Sequence, residues 1–191
     1  RVEGKIHVRK EVHGNSAISF SHPGWCGSQC VVQDFACRHS SQSVESSEEV
    51  TSFPLPIDVL PHRPPFLFID RVTSLEVGVT AVGHWKLTGD EWFFPGHFPG
   101  RPTLPGVLMC EAIAQLGAYA LLTDPVHQSK LPLFGGLDGA RFRRQVGPGD
   151  ELELQATLGH ISARGGKGSG RALLNGKVAC ECDLMFVLVD R

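Results

Sequence analysis

The chain has 191 residues, 41% apolar and 20% charged, with a net charge of −2. That is enough apolar material for one soluble domain with its own core and too little chain for a second full domain. A charge so close to zero leaves no global footprint for nucleic acid or an anionic membrane, so any electrostatic steering must come from local patches. The cysteines are Cys26, Cys30, Cys37, Cys110, Cys180 and Cys182. One lies in an apolar helical stretch and two alternate along a strand, so no disulfide framework is indicated and a reducing compartment, the cytoplasm, is the default.

Residues 1–52 are serine-rich, carry scattered charge and show no sustained apolar period, which reads as a disordered or weakly ordered extension. His22, Cys26, Cys30, Cys37 and His39 raise the question of zinc. They contain no Cys-x-x-Cys pair and their spacing is irregular, so no metal is expected. A Ser-rich leader toward a plastid or other organelle is the other functional reading of this segment, and the small number of Arg and Lys counts against it.

The globular domain is expected over residues 53–191. Ile57, Val59 and Leu60 predict a short turn or helix ending at Pro61, after which Pro64 and Pro65 force an extended path into a strand over 66–72. His62 in this stretch reads as a structural or mouth-lining residue, because no acidic partner follows it on a rigid element. Residues 77–87 alternate as a half-buried strand, and Trp92, Phe93 and Phe94 bring three aromatics to the loop that follows.

That loop carries Pro95, Pro99, Pro102 and Pro105 among Gly96, Gly100 and Gly106, so its backbone is preorganised. His97 stands inside it, and imidazole is the side chain suited to proton transfer near neutrality. The loop feeds an apolar helix predicted over 105–122, too short and poorly flanked for a membrane span and therefore buried in the core. Its fully polar residues are Glu111 and Gln115, which at i,i+4 project from one side. A buried carboxylate either finds a partner or has its pKa raised, so Glu111 reads as a structural acid or as a general acid. With the N–H of Gly106 free at the helix start, a base, an acid and an anion-stabilising donor come from one rigid element.

After the helix, residues 123–130 read as a polar loop, and 131–142 and 150–162 as two strands joined by a turn at 146–150. Arg141, Arg143 and Arg144 form a basic cluster that is a solvated face or a docking patch for an acidic partner. Nucleic acid is poorly supported as that partner, since interleaved aromatics are missing. Residues 164–170 read as a Gly-rich turn, and 171–189 as alternating strands with an Asn175-Gly176 hairpin. Strands, one central helix, then several long strands give an α+β domain, an antiparallel sheet wrapped around a buried helix.

Three strings carry a family resemblance: LPHRPPFLFIDRV at 60–72, FFPGHFPGRPTLPGVLMCEAIAQLG at 93–117 and ARFRRQVGPGDELEL at 140–154. They resemble 3-hydroxyacyl-acyl-carrier-protein dehydratases of the FabZ type over residues 57 to 189. The related FabA-type dehydratase/isomerase has Asp where this chain has Glu111. The resemblance implies the hot-dog fold and dehydration of a (3R)-3-hydroxyacyl thioester to the trans-2-enoyl thioester in fatty acid biosynthesis, without metal or organic cofactor. His97 would remove the C2 proton, Glu111 would assist loss of the C3 hydroxyl, and the Gly106 N–H would polarise the thioester carbonyl. Gln115 would orient Glu111 or a water, with Phe94, Phe98 and the small helix residues lining the acyl site. Arg141, Arg143 and Arg144 would meet an acyl carrier protein bearing the substrate on phosphopantetheine. Family members look like dimers sharing two sites, often assembled as trimers of dimers, so His97 and Glu111 are expected from different subunits. A hot-dog thioesterase, a FabA-type isomerase and an inactive carrier-binding module are the alternatives.

Overall fold

Seventeen residues, Gly106–Leu122, form the long helix α2, within one residue of the span the apolar run predicts. The computed structural model describes residues 52–191. The readings of the N-terminal extension therefore lie outside the described residues, Ser52 excepted. Around α2 stand a short helix α1 (Pro56–Val59) and six strands: β1 (Arg71–Glu76), β2 (Thr80–Lys86), β3 (Lys130–Phe142), β4 (Glu151–Ser162), β5 (Gly165–Leu174) and β6 (Lys177–Asp190). The strands make one sheet in the order β1-β2-β4-β5-β6-β3, with every neighbouring pair antiparallel. The α+β expectation of a sheet wrapped round one helix holds.

The core lies between α2 and the sheet. Ala112, Ile113, Leu116 and Ala120 of α2 meet Ala81, Leu152, Leu154 and Ala172 of the strands, all at 0% exposure. Alternation puts those strand residues on one face: in β4, Leu152, Leu154 and Ala156 are buried while Glu151, Glu153 and Gln155 are half-buried. In β2 the same rule buries Ala81, Gly83 and Trp85. Val77 and Val79, expected to continue that face, instead belong to the turn before the strand and are exposed.

Two strand expectations need correction. The strand expected over 66–72 begins only at Arg71. The Phe68 N–H donates to the side-chain Oε1 of Gln115 at 2.9 Å, and the Phe66 carbonyl accepts from Gln115 Nε2 at 3.2 Å. Those backbone groups are satisfied by a helix side chain, so they do not form a ladder. The Gly-rich tract 164–170 is not a turn: Gly165–Gly170 lie in β5, paired with both β4 and β6. Glycine is there for close approach. A Cβ at Gly170 would overlap the Gln155 carbonyl oxygen and Ile113 Cγ2 of α2. The turn proper is Asn175-Gly176, with φ of 51° and 71°, the conformation of a tight hairpin.

Cys110, Cys180 and Cys182 are buried free thiols, with Cys110 and Cys180 sulfurs 3.7 Å apart. Burial rather than cross-linking is their contribution to the fold. Among the described residues, no helix is long and apolar enough to cross a membrane.

The wrap predicts a specific sensitivity. Gly170→Ala should destabilise the domain by about 1–3 kcal/mol, because neither the β4 backbone nor Ile113 has room to yield. A denaturant midpoint equal to wild type would show that β5 can move off α2.

Candidate active site

The first turn of α2 offers N–H groups with no intrahelical acceptor, and Pro105, at the N-cap, has none to offer. Gly106 opens the helix beneath the ring of Phe142. A Cβ at that position would sit 2.8 Å from Phe142 Cδ1, which explains the glycine.

His97 faces this helix start. Its Nδ1 lies 2.8 Å from the Thr103 carbonyl oxygen. A carbonyl only accepts, so Nδ1 carries the hydrogen and Nε2 keeps its lone pair, the form required of a base. The imidazole stacks on Phe98 with centroids 4.1 Å apart and planes 27° from parallel, and the His97–Phe98 peptide bond is cis. His97, Phe98, Gly106, Phe142 and Arg144 line one cavity.

Glu111 opens into a second cavity, of about 210 Å³. Ala114, Ala118 and Leu121 continue its wall along α2, and Leu158, Leu184 and Phe186 face them from the sheet. Gln115 is 1% exposed and donates from Nε2 to Glu111 Oε1 at 3.0 Å, as expected of a residue one helical turn on. The carboxyl is not fully buried: its side chain is 21% exposed where the cavity reaches it. Beyond its first turn, where Val107 is exposed, the helix is thus covered except along the strip of Glu111, Ala114 and Ala118.

His97 and Glu111 do not share a cavity within one chain. Glu111 follows Gly106 by five residues, so the two point about 140° apart round the helix axis. Within one chain His97 shares its cavity with the start of α2, while Glu111 and Gln115 line the other.

Other expected residues divide similarly. Phe94, expected as a substrate-binding aromatic, is 4% exposed and packs its ring 4.7 Å from Phe93, which assigns it to the core. Phe98 is 54% exposed at the His97 cavity. Arg143 and Arg141 both turn to Glu181 Oε1, at 2.5 and 3.9 Å, so much of their charge is locally matched. Arg144 instead lines the His97 cavity.

His62 is the residue that sequence reasoning undervalued. An acidic partner does exist: His62 Nε2 stands 3.6 Å from Glu111 Oε1. No local signal could reveal it, because the acid comes from α2. His62 Nδ1 is buried with no hydrogen-bond partner. Burial pushes the imidazole below its ordinary pKa, against a weaker opposing pull from Glu111, and so favours the neutral ring. Among the described residues, no group of three or more His, Cys, Asp and Glu side chains could hold a metal ion.

An antiparallel six-stranded sheet wrapped round one long helix is the hot-dog fold. Within that class the chain belongs to the FabA-like domain family, which matches residues 60–183. It is 51% identical over 133 residues to the 3-hydroxyacyl-acyl-carrier-protein dehydratase FabZ of Moorella thermoacetica, covering 70% of this chain and 93% of that one. Against the enzyme of the same name from Herpetosiphon aurantiacus the identity is 49% over 132 residues, 69% of this chain and 94% of that one. A chain of the dehydratase heterocomplex ApeI:P from Xenorhabdus doucetiae superimposes with a TM-score of 0.64 at 17% identity, over 73% of this chain and 93% of its own.

The neutral His62 gives a pH prediction. Below about pH 6.5 the unfolded chain protonates this histidine while the folded chain resists, so stability falls as pH falls through that value. The melting temperature followed from about pH 8 to pH 5 should decline less steeply in His62→Gln than in wild type. Equal slopes would mean that burial of His62 carries no proton linkage.

Proposed function

We propose that the chain is a 3-hydroxyacyl-acyl-carrier-protein dehydratase, a hydro-lyase of fatty acid biosynthesis, whose active site is completed by a second copy of itself. Its similarity to FabZ enzymes over nearly their whole length supports the reaction. The observation that carries the arrangement is the placement of the base with the helix N-terminus in one cavity and the acid with its carboxamide in another. A two-fold partner would bring the His97 loop of one copy against the Glu111 strip of the other.

The chemistry follows from the groups present. His97 Nε2 takes the C2 proton, and the electron pair left on C2 delocalises onto the thioester oxygen. The Gly106 N–H, at the positive end of α2, stabilises that oxygen. As the pair returns to form the C2–C3 double bond, the C3–O bond breaks and Glu111 protonates the departing hydroxyl, which leaves as water. Gln115 holds Oε1 of Glu111, leaving the other carboxyl oxygen to meet the substrate. The acyl chain would run beside Ala114, Ala118 and Leu121, roughly 15 Å of helix from Glu111 to Leu121 at 1.5 Å per residue. The residues supply proton transfer and charge stabilisation, so no metal or organic cofactor is invoked.

The substrate arrives on an acyl carrier protein, as in the relatives' names. In this reading the acidic carrier docks near Arg144, at the mouth of the His97 cavity, with Arg141 and Arg143 behind it holding Glu181. The working unit is a homodimer, open to assembly as a trimer of dimers.

His97→Ala should lower crotonyl-thioester hydration by roughly 10² to 10⁴ at an unchanged melting temperature, the share of a positioned acid or base. Glu111→Gln keeps the shape and loses the proton, and should depress kcat more than it raises KM. Wild-type hydration by His97→Ala would remove His97 as the base. Release of free thiol in place of enoyl turnover would make the protein a thioesterase.

A further inference from the structure

We infer that Thr103 and Gln145 are positioning residues that fix the tautomer and aim of His97, an inference that rests on His97 acting as the base. Thr103 is held from both ends. Its carbonyl accepts from His97 Nδ1 at 2.8 Å, and its N–H donates to the His97 carbonyl at 2.8 Å. Its hydroxyl donates to the Arg101 carbonyl at 3.1 Å and accepts from Gln145 Nε2 at 2.6 Å. Gln145 Oε1 in turn accepts from Arg101 Nη2 at 2.9 Å. One residue further, the Leu104 N–H donates to the Val146 carbonyl at 2.8 Å. A Cβ on Gly147 would lie 3.3 Å from the Pro102 carbonyl oxygen, so the two segments are also in close contact.

Residues 101–104 are therefore stapled to 145–147, the segment that leaves β3 for β4. The residue types suit the task. A hydroxyl donates and accepts at once, and a carboxamide does the same across its two ends, so Thr103 and Gln145 close a ring with Arg101 in which each side-chain hydrogen bond fixes the next. The consequence falls on His97. A neutral imidazole has two tautomers, and the partner of one nitrogen decides which is present. With the Thr103 carbonyl held on Nδ1, the free lone pair is on Nε2. If the carbonyl swings away, the hydrogen can reside on Nε2, where it blocks proton abstraction. Neither Thr103 nor Gln145 need touch the reacting atoms, so they act through His97.

The test uses the intact protein and a 3-hydroxyacyl thioester, with Thr103→Val, Thr103→Ser, Gln145→Leu and the Thr103→Val/Gln145→Leu double variant beside His97→Ala. The valine and leucine variants should each lower kcat about 10-fold with KM within about two-fold, the effect of a base held loosely rather than removed. Thr103→Ser should remain within about two-fold of wild type. The double variant should lose less than the product of the two single losses, because the Thr103–Gln145 hydrogen bond is removed by both. Nitrogen NMR of labelled His97 should report the Nδ1–H tautomer in wild type and a mixture in Thr103→Val. Wild-type kcat in both single variants, or reduced kcat with the tautomer signal unmoved, would overturn the inference. The two readings fail separately. Full activity in His97→Ala defeats the assignment of the base, while an inactive His97→Ala beside fully active Thr103→Val and Gln145→Leu defeats only the positioning role.

Discussion

Gln115 is the one residue of polar type fully buried among the described residues, and the hydrogen bonds of its carboxamide tie the segment before β1 to α2. Its oxygen takes the Phe68 N–H, and its nitrogen reaches the Phe66 carbonyl and Glu111 Oε1. An unpaired buried amide of this kind would cost several kcal/mol, and so would the backbone groups it serves. The segment before β1 is therefore bound to α2 by side-chain bonds instead of sheet pairing. The same carboxamide holds the Glu111 carboxyl, and His62, which precedes that segment, stands beside it. Fold and site share this polar junction, with Tyr119 adding a hydroxyl bond to the Pro54 carbonyl at 2.7 Å further along α2.

A second constraint is steric. A sheet can wrap a helix this closely only where one side of the contact is small, and the chain supplies Gly170 in β5 against Ile113 and Ala156 in β4 against Gly117. Where the wrap loosens, along Glu111, Ala114 and Ala118, the apolar cavity appears. Close packing on most of α2 and an open strip on the remainder come from one arrangement of small residues. An apolar chain could lie in that strip without displacing the core.

Much of this was legible in the sequence because it rests on local patterns. The apolar run gave α2, the alternation gave β4, and Asn175-Gly176 gave the last hairpin, since each is governed by residues adjacent in the chain. Glu111 and Gln115 were found as a pair for the same reason, and His97 by the stiffness of its loop. Apart from the local turn at 77–79, the failures involve partners distant in sequence. Glycines 165–170 look like a turn until Ile113 of another element is seen to need the space. Residues 66–70 look like a strand until Gln115 claims the Phe66 carbonyl and the Phe68 N–H. His62 has no local acid, and the arginine cluster divides only when Glu181 of β6 captures two of its members. Local chemistry names the catalytic types, and tertiary contact decides which of them meet.

The proposed shared site rests on one chain placing His97 and Gly106 in one cavity and Glu111 in another. Mixing two inactive variants tests it most directly. Co-refolded in equal amounts, His97→Ala and Glu111→Ala subunits should give about half heterodimers, each with one intact and one doubly damaged site, so about a quarter of wild-type activity returns by two-fold symmetry. No recovery, with subunit exchange confirmed independently, would mean that both residues act within one chain and would contradict the shared site.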